Sequence, residues 1–228
     1  MKTISIVIPA RNERDAIEKT IRAIPKDELE KMGYEVQILV VDNDSNDGTG
    51  ELAKKAGAEV VFEPTRGYGK AYKTGFANAK GQIIATADAD LTYPVEEIPG
   101  FVKLLEDEAL DFITTNRFAK MHKNAMSRRN KFGNSVVSFT TRFLFRIDLV
   151  DSQSGMWVFR RSILDNLVLR SNGMPLSEEL KIEACYFAKC RWREMPIEYR
   201  ARIGKMQLRY WRDGLQNLFY LIRKRIAR

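Results

Sequence analysis

Residues 82–94 read Gln82-Ile83-Ile84-Ala85-Thr86-Ala87-Asp88-Ala89-Asp90-Leu91-Thr92-Tyr93-Pro94. The first part of this stretch is apolar and rich in β-formers, which predicts a buried strand that runs up to Asp88. Asp88 and Asp90 stand one residue apart, and side chains at i and i+2 of a strand point to the same side. Two carboxylates together with substrate phosphates commonly hold Mg²⁺ or Mn²⁺. The stretch therefore predicts a divalent-cation site at a strand end; the alternative is an ordinary acidic surface turn.

Strand and helix patterns alternate through the first half of the chain. Strands are predicted at 3–8, 36–41, 59–62 and 111–114, and helices at 14–24, 48–56, 68–79 and 94–105. Such alternation predicts an α/β fold with a mainly parallel sheet. Ligands bind outside the carboxyl ends of the strands in sheets of this kind. The chain places polar loops at those ends, at residues 9–13, 42–47, 64–69 and 88–90.

The composition is that of a globular protein, with 44% hydrophobic and 30% charged residues in a chain of 228. No run of about 18 apolar residues occurs, so no transmembrane helix is predicted. The N-terminus goes straight into a strand-like run, so no signal peptide is predicted. The single histidine, His122, excludes a His-rich zinc site. Cys185 and Cys190 are expected on different faces of a helix as free thiols, which is typical of a reducing cytoplasm.

The net charge of +8 is unevenly distributed. Residues 189–228 carry 12 Lys/Arg and 3 Asp/Glu, and residues 112–147 carry 8 Lys/Arg and no acid. The remainder of the chain is therefore acidic, with a net charge of −9. Basic segments attract phosphates, either of nucleic acid or of anionic lipid.

Two amphipathic helices are predicted within these basic segments. Residues 126–146 are basic at both ends and apolar in the middle. Residues 208–226 carry one apolar stripe, made of Leu208, Trp211, Leu215, Leu218, Phe219, Ile222 and Ile226. Basic helices with Trp and Phe on the apolar side are typical of segments that lie in a membrane interface. The alternative is a terminal helix that packs on the domain or on a second subunit.

Four loops of the chain resemble those of the family 2 glycosyltransferases with a GT-A fold. They read Ile6-Val7-Ile8-Pro9-Ala10-Arg11-Asn12-Glu13, Val40-Val41-Asp42-Asn43-Asp44-Ser45-Asn46-Asp47-Gly48-Thr49, Gly69-Lys70-Ala71 and Ala87-Asp88-Ala89-Asp90. The resemblance continues through Asn116-Arg117, Asp151-Ser152-Gln153-Ser154-Gly155 and Arg200-Ala201-Arg202-Ile203-Gly204-Lys205, so it covers nearly the whole chain. The chain is most similar to the polyprenyl-phosphate (dolichyl-phosphate) sugar transferases, such as those that transfer mannose or glucose.

The resemblance implies a specific domain organisation. A GT-A catalytic domain is expected at 1–207, with a mainly parallel Rossmann-like sheet and helices on both faces. Residues 1–115 form its nucleotide-sugar half, and residues 116–207 form its acceptor half, which includes an interfacial helix at about 126–146. A C-terminal amphipathic helix follows at 208–228.

The resemblance also implies a donor site for a nucleotide sugar. Asp88 and Asp90 are expected to hold Mg²⁺ or Mn²⁺ and to act in catalysis, Asp42 to bind the base or ribose, and Lys70 to lie near the phosphates. Asp44 either supports Asp42 or caps the following helix. The full set of donor-binding candidates is Pro9, Ala10, Asn12, Glu13, Asp42, Asp44, Lys70, Asp88, Ala89 and Asp90.

The acceptor that the resemblance implies is a polyprenyl (dolichyl) phosphate. Such a phosphate is largely ionised at pH 7, so transfer to it requires no strong general base. The residues expected to hold it are Arg117, also a catalytic candidate, together with Arg129, Arg202 and Lys205. The family implies an inverting transfer, and the two basic helices imply a peripheral enzyme at the cytoplasmic face of a membrane.

Two departures from the family pattern leave the donor open between GDP-mannose and a UDP-sugar. Thr92-Tyr93 replaces a frequent Gln-His after the acidic pair, and Asn43 replaces a frequent Asp. One alternative function is a family 2 transferase that acts on a glycan hydroxyl, with an acid such as Glu178 or Glu179 as base; helix capping also explains both acids. A nucleic-acid-binding protein is disfavoured because an apolar stripe accompanies the cations, and no nucleic-acid partner is expected. A sugar nucleotidyltransferase is disfavoured because no Gly-rich phosphate loop follows the first strand.

Overall fold

The computed structural model describes residues 2–204 and 210–226, with the exception of the side chains of 210–213. Within these residues one seven-stranded sheet forms, in the order β3-β2-β1-β4-β6-β5-β7. The strands are β1 (Lys2–Ala10), β2 (Tyr34–Asp42), β3 (Glu59–Phe62), β4 (Ile83–Thr86), β5 (Phe112–Met121), β6 (Trp157–Arg160) and β7 (Trp192–Tyr199). Only β6 is antiparallel to its neighbours in this sheet, so the predicted mainly parallel α/β fold is confirmed. Sequence patterns missed β6 and β7.

Eight α-helices connect and cover the described strands. They are α1 (Ile17–Ala23), α2 (Lys26–Lys31), α3 (Thr49–Lys55), α4 (Tyr68–Asn78), α5 (Ile98–Asp107), α6 (Arg128–Phe145), α7 (Leu176–Ile182) and α8 (Tyr210–Ile226). Pro25 separates α1 from α2, which sequence patterns missed. Cys185 lies in a π-helical turn after α7 and Cys190 lies beyond it, so they do not share one helix, but both are free thiols. Among the described helices, none is long and apolar enough to cross a bilayer.

The sheet separates two apolar cores because side chains alternate along its buried strands. In β1, Ile4, Ile6 and Ile8 face one core, and Val7 faces the other. The first core also receives residues of α1, α2, α3 and α5, and the second receives residues of α4, α6, α7 and α8. Helices therefore cover both faces, as expected.

The acidic stretch departs from its predicted geometry. β4 ends at Thr86, so Asp88 and Asp90 lie in a turn beyond the strand, and the expected strand alternation does not set their directions. Leu91, the next residue, has a left-handed backbone with φ of 62°. Hydrogen bonds from Thr92 and Arg202, rather than strand alternation, hold the Asp90 carboxylate.

Candidate functional site

The loops that follow β1 and β2 are joined to each other at the carboxyl edge of the sheet. Asn12 N donates to Ser45 Oγ at 3.1 Å, and Asn46 N donates to Asn12 Oδ1 at 3.0 Å. Glu13 N donates to Thr49 Oγ1 in the first turn of α3 at 2.9 Å. Pro9 and Ala10 end β1 beside Val41 and Asp42 of β2. The donor-site candidates of the first two strands thus lie together.

Asp90 is the most firmly held acid of the site. Its Oδ1 accepts from Thr92 N at 3.0 Å and from Thr92 Oγ1 at 2.6 Å. Its Oδ2 accepts from Arg202 Nη1 at 2.9 Å, and the same guanidinium pairs with Glu13. The backbone of Ile203 also donates to the Asp90 carbonyl at 3.1 Å. Arg202, predicted for the acceptor phosphate, therefore lies against the acids predicted for the donor.

The pKa values of Asp88 and Glu13 are raised by burial and lowered by nearby arginines. Burial and the neighbouring Asp90 raise the pKa of Asp88 to about 7, against the lowering effect of Arg202 and Arg117. Burial likewise raises the pKa of Glu13 to about 7, although Arg202 opposes this shift. No hydrogen bond to the Asp88 carboxylate is found within the described residues.

The donor atoms of Asp88 and Asp90 suit a hard divalent cation. In the part of the chain that the structure describes, no cluster of three or more Asp, Glu, His or Cys could hold a metal ion. A pair of carboxylates is nevertheless a fitting set for Mg²⁺ or Mn²⁺, which take their remaining ligands from water and phosphate oxygens.

Asp42 and Asp44 have different surroundings. The Asp42 Oδ1 accepts from Ser45 N at 3.1 Å, and its other oxygen lies against Gly50 so closely that a Cβ there would be 2.5 Å away. Asp44 has a left-handed backbone with φ of 60° and pairs with the exposed Arg66 at 2.5 Å. In the structure, therefore, Asp42 is held against α3 and Asp44 against an arginine of the next loop.

Asn43 holds the loop that precedes α4. Its buried amide donates to the carbonyls of Glu63 at 3.0 Å and Thr65 at 2.8 Å, and its oxygen accepts from Gly67 N at 2.8 Å. An aspartate at this position could accept the hydrogen bond from Gly67 N but could not donate to the two carbonyls. The departure from the family pattern at this position therefore has a structural explanation.

We expect Asn43→Asp to lower the free energy of unfolding by about 2 kcal/mol, because two buried donors are lost and a carboxylate faces two carbonyls. Urea denaturation measures this loss. Asn46→Asp, the same change on an exposed side chain of the same loop, should stay within about 0.5 kcal/mol of the parent. Equal stability of both variants would contradict the structural role of Asn43.

Lys70 lies in the first turn of α4, and its ammonium group lies near one carboxylate. Its Nζ is 3.8 Å from Glu63 Oε2, and its backbone N donates to the Asn172 carbonyl at 3.0 Å. Gly69 is required here because a Cβ would lie 2.5 Å from the Ser171 carbonyl oxygen. The segment 171–173 therefore covers the start of α4. The Lys70 side chain remains the candidate contact of this helix start with a phosphate.

The predicted acceptor cations do not form one cluster. Arg117 is buried and makes a two-pronged ion pair with Asp151, at 2.7 and 2.9 Å. Although burial opposes it, Arg117 lowers the pKa of Asp151. Arg129 is exposed in the first turn of α6, and Lys205 lies outside the described residues.

Sequence reasoning missed a buried lysine next to this pair. Lys181 Nζ donates to the carbonyls of Asp151 and Ser154, both at 2.8 Å, and burial lowers its pKa to about 8. A lysine in a short helix normally indicates a solvated face, so no local signal could have revealed it.

Tyr93 and two consecutive glutamates of α7, Glu178 and Glu179, also form hydrogen bonds that hold neighbouring parts of the chain in place. Tyr93 Oη accepts from Gly155 N at 2.7 Å, which gives the tyrosine of the Thr92-Tyr93 departure a structural role. Glu178 is buried and accepts from Gln153 Nε2 at 3.0 Å, and burial raises its pKa well above the usual range. Glu179 accepts from the backbone N–H groups of Arg170 and Ser171.

Most of the predicted apolar stripe of α8 faces away from the domain. Its buried residues are Asn217, Leu221 and Lys224, and Lys224 pairs with Glu183 at 2.5 Å. Leu218 of the predicted stripe is partly buried against the second core. The outward residues include Leu215, Phe219, Ile222 and Ile226, all exposed. Three phenylalanines of the adjacent α6 are exposed as well: Phe132, Phe139 and Phe143. Of the predicted stripe, Leu208 lies outside the described residues, and so does the side chain of Trp211.

Comparison with solved structures identifies the class of fold. The chain superposes with a TM-score of 0.78 on glucosyl-3-phosphoglycerate synthase from Mycobacterium tuberculosis, crystallised with Mn²⁺, UDP-glucose and phosphoglyceric acid. The alignment covers 98% of this chain and 79% of the other at 22% identity. The fold is therefore the GT-A glycosyltransferase fold, as predicted.

Sequence comparison defines the family. The model of glycosyl transferase family 2 matches residues 5–168, so the chain belongs to this family and is a glycosyltransferase. The dolichyl-phosphate hexose transferase of Haloferax volcanii is 30% identical over 90% of this chain and 86% of its own length. The low-salt glycan biosynthesis hexosyltransferase Agl6 of the same organism is 30% identical over 96% of this chain, which spans 53% of Agl6.

Proposed function

We propose that the protein transfers a hexose, with inversion, from a nucleotide diphosphate sugar to a polyprenyl phosphate such as dolichyl phosphate. One observation carries the proposal: residues 151–155, next to Asp88, also contact Ser138 of α6 and Asn217 of α8, the two helices whose apolar side chains are exposed. Gly155 of that loop would bring a Cβ to 3.5 Å from Asp88 Oδ1. A donor site beside an apolar surface suits a lipid-linked acceptor, and the similarity to a dolichyl-phosphate hexose transferase supports the same acceptor.

The donor would bind at the carboxyl edge, with its nucleoside near Asp42 and Glu13 and its diphosphate near Asp88 and Asp90. A divalent cation held by this carboxylate pair would act as a Lewis acid for the leaving diphosphate. Arg202 keeps Asp90 and Glu13 in place. Its guanidinium supplies positive charge where the nucleoside diphosphate leaves.

The acceptor supplies its own nucleophile. A phosphate oxygen attacks the anomeric carbon, the bond to the diphosphate breaks, and the nucleoside diphosphate departs. Arg129 is exposed at the start of α6, and no ion pair of its guanidinium is found within the described residues, so it can bind this phosphate. Arg117, neutralised by Asp151, positions the neighbouring loop. Lys205 remains a candidate for the same phosphate.

The transfer on a glycan hydroxyl has less support. It needs an acid that the acceptor hydroxyl can reach, whereas Glu178 and Glu179 are both buried, Glu178 bonded to Gln153 and Glu179 to two backbone N–H groups. The basic residues accompany exposed apolar side chains of α6 and α8, which favours a lipid surface over nucleic acid.

The protein is proposed to work as a peripheral enzyme at the cytoplasmic face of a membrane. The exposed apolar residues of α6 and α8 would enter the interface. Basic side chains beside them would contact anionic headgroups; the exposed ones are Arg128, Arg129, Lys131, Arg142, Arg146, Arg223 and Arg225.

A donor and acceptor matrix tests the proposed function. Radiolabelled UDP-glucose, UDP-N-acetylglucosamine and GDP-mannose are each incubated with dolichyl phosphate or a soluble glycan, with Mg²⁺, Mn²⁺ or EDTA. We expect label in the lipid fraction from one donor, and its loss with EDTA. Label that appears only in the soluble glycan would contradict the polyprenyl phosphate acceptor.

A further inference from the structure

The segment Asp151-Ser152-Gln153-Ser154-Gly155, here called the 151–155 loop, is contacted by side chains from both halves of the fold. Arg117 holds Asp151, and Ser138 of α6 accepts from Ser152 N at 3.0 Å. The carbonyl oxygens of Ser154 and Gly155 accept from Lys181 and Thr86. Such a densely bonded loop moves as a unit, because hydrogen-bond networks in a low-dielectric interior resist separate displacement of their members.

Gln153 connects this loop to α8. Its side-chain amide nitrogen donates to Glu178 Oε2 and to Ser152 Oγ, both at 3.0 Å. Its side-chain oxygen accepts from Asn217 Nδ2 of α8 at 2.6 Å. Every polar atom of the Gln153 side chain is therefore used between α7, α8 and its own loop.

The face of α8 that meets the domain is unusually polar. Asn217, Leu221 and Lys224 are buried on one side of the helix, and Lys224 also lies 3.7 Å from Glu179. Hydrogen bonds and ion pairs depend on position more steeply than apolar contacts do. A small shift of α8 would therefore weaken the hydrogen bond that Asn217 donates to Gln153.

The opposite end of the loop touches the candidate cation site. A Cβ on Gly155 would lie 3.5 Å from Asp88 Oδ1 and 2.5 Å from Tyr68 Oη. Gly155 N is fixed by Tyr93, which follows the acidic turn. Only Ser154 separates Gln153 from Gly155, so a displacement of Gln153 reaches the wall of the site.

We infer that the contact between Asn217 and Gln153 couples docking of α8 on a lipid surface to the geometry of the site beside Asp88. The inference rests on the membrane docking in the proposed function. Lipid that covers the outward face of α8 holds this helix against the domain, Asn217 then holds Gln153, and the 151–155 loop keeps Gly155 in place. Gln153 and Asn217 are positioning residues in this scheme.

Hydrogen exchange of the 151–155 amides, with and without anionic vesicles, tests the coupling independently of turnover. In the parent protein we expect vesicles to slow exchange about fivefold, because lipid that disfavours detachment of α8 makes opening of the loop rarer. In Asn217→Ala this slowing should disappear, while cosedimentation with vesicles persists. Gln216→Ala, the exposed neighbour on the same helix, should behave as the parent.

Activity provides the second measurement. With a short, water-soluble polyprenyl phosphate, vesicles should raise kcat of the parent and of Gln216→Ala but not of Asn217→Ala, with KM for the nucleotide sugar unchanged. Asn217→Ser, whose hydroxyl is too short to reach Gln153, should repeat the result if the alanine variant folds poorly. Equal vesicle effects in the parent and in the Asn217 variants, or no vesicle effect on exchange in the parent, would overturn the inference. Absence of lipid-linked product with intact coupling of exchange would instead count against the proposed acceptor alone.

Discussion

Asp90→Asn is expected to lower metal-dependent turnover of the nucleotide sugar by at least about 1000-fold, because a Lewis-acid cation contributes several kcal/mol to the barrier. The amide retains an oxygen for the two hydrogen bonds from Thr92. It loses the negative charge that would bind the cation and that now pairs with Arg202. Release of nucleoside diphosphate measures the rate, and Mn²⁺ titration measures the affinity for the cation.

A control separates this effect from the loss of a paired carboxylate elsewhere in the fold. Asp111 precedes β5 at the opposite edge of the sheet and accepts from Arg191 N at 2.8 Å. Asp111→Asn should leave both turnover and Mn²⁺ affinity unchanged. Thermal unfolding should show that both variants are folded. Parent-like turnover and Mn²⁺ affinity in Asp90→Asn would show that the carboxylate pair is not the cation site.

Phe219→Gln combined with Ile222→Gln is expected to weaken binding to anionic vesicles about 100-fold. These side chains are 71% and 52% exposed, so their replacement leaves the packing of α8 intact. Together they contribute about 3 kcal/mol when they enter an apolar phase. Cosedimentation at fixed salt measures the change. Deletion of residues 208–228 is a less selective test, because it also removes the buried Asn217, Leu221 and Lys224.

The control for this prediction lies on the edge strand β3. Phe62 is 59% exposed and is remote from α6 and α8 in the order of the sheet, so Phe62→Gln should leave vesicle binding unchanged. If the face of α8 instead binds a second copy of the chain, the double variant will lose a dimer by size-exclusion chromatography and the parent will not sediment with vesicles. That result would refute the membrane role.

Local patterns were sufficient where structure depends on neighbours in the chain. The run from Ile4 to Ile8 predicted β1 because its side chains are apolar on both faces, as a central parallel strand requires. The loops after β1, β2 and β4 then meet at one edge by topology alone. β6 was missed although it is as long as the correctly predicted β3, and β7 was missed because its pattern mixes charged and apolar side chains.

The amino-acid sequence by itself determined the fold class, the family and the acidic loop at the carboxyl edge, since these depend on short-range periodicity and on contiguous motifs. Only the tertiary structure decided that Arg202 pairs with Asp90, across 112 residues, and that Lys181 is buried beneath the 151–155 loop. It also decided which face of α8 packs inward. Hydrophobicity alone favours burial of Phe219 and Ile222, but the polar partners Gln153, Glu179 and Glu183 select the face with Asn217 and Lys224. Such partners lie far away in the chain, and no local pattern can reveal them.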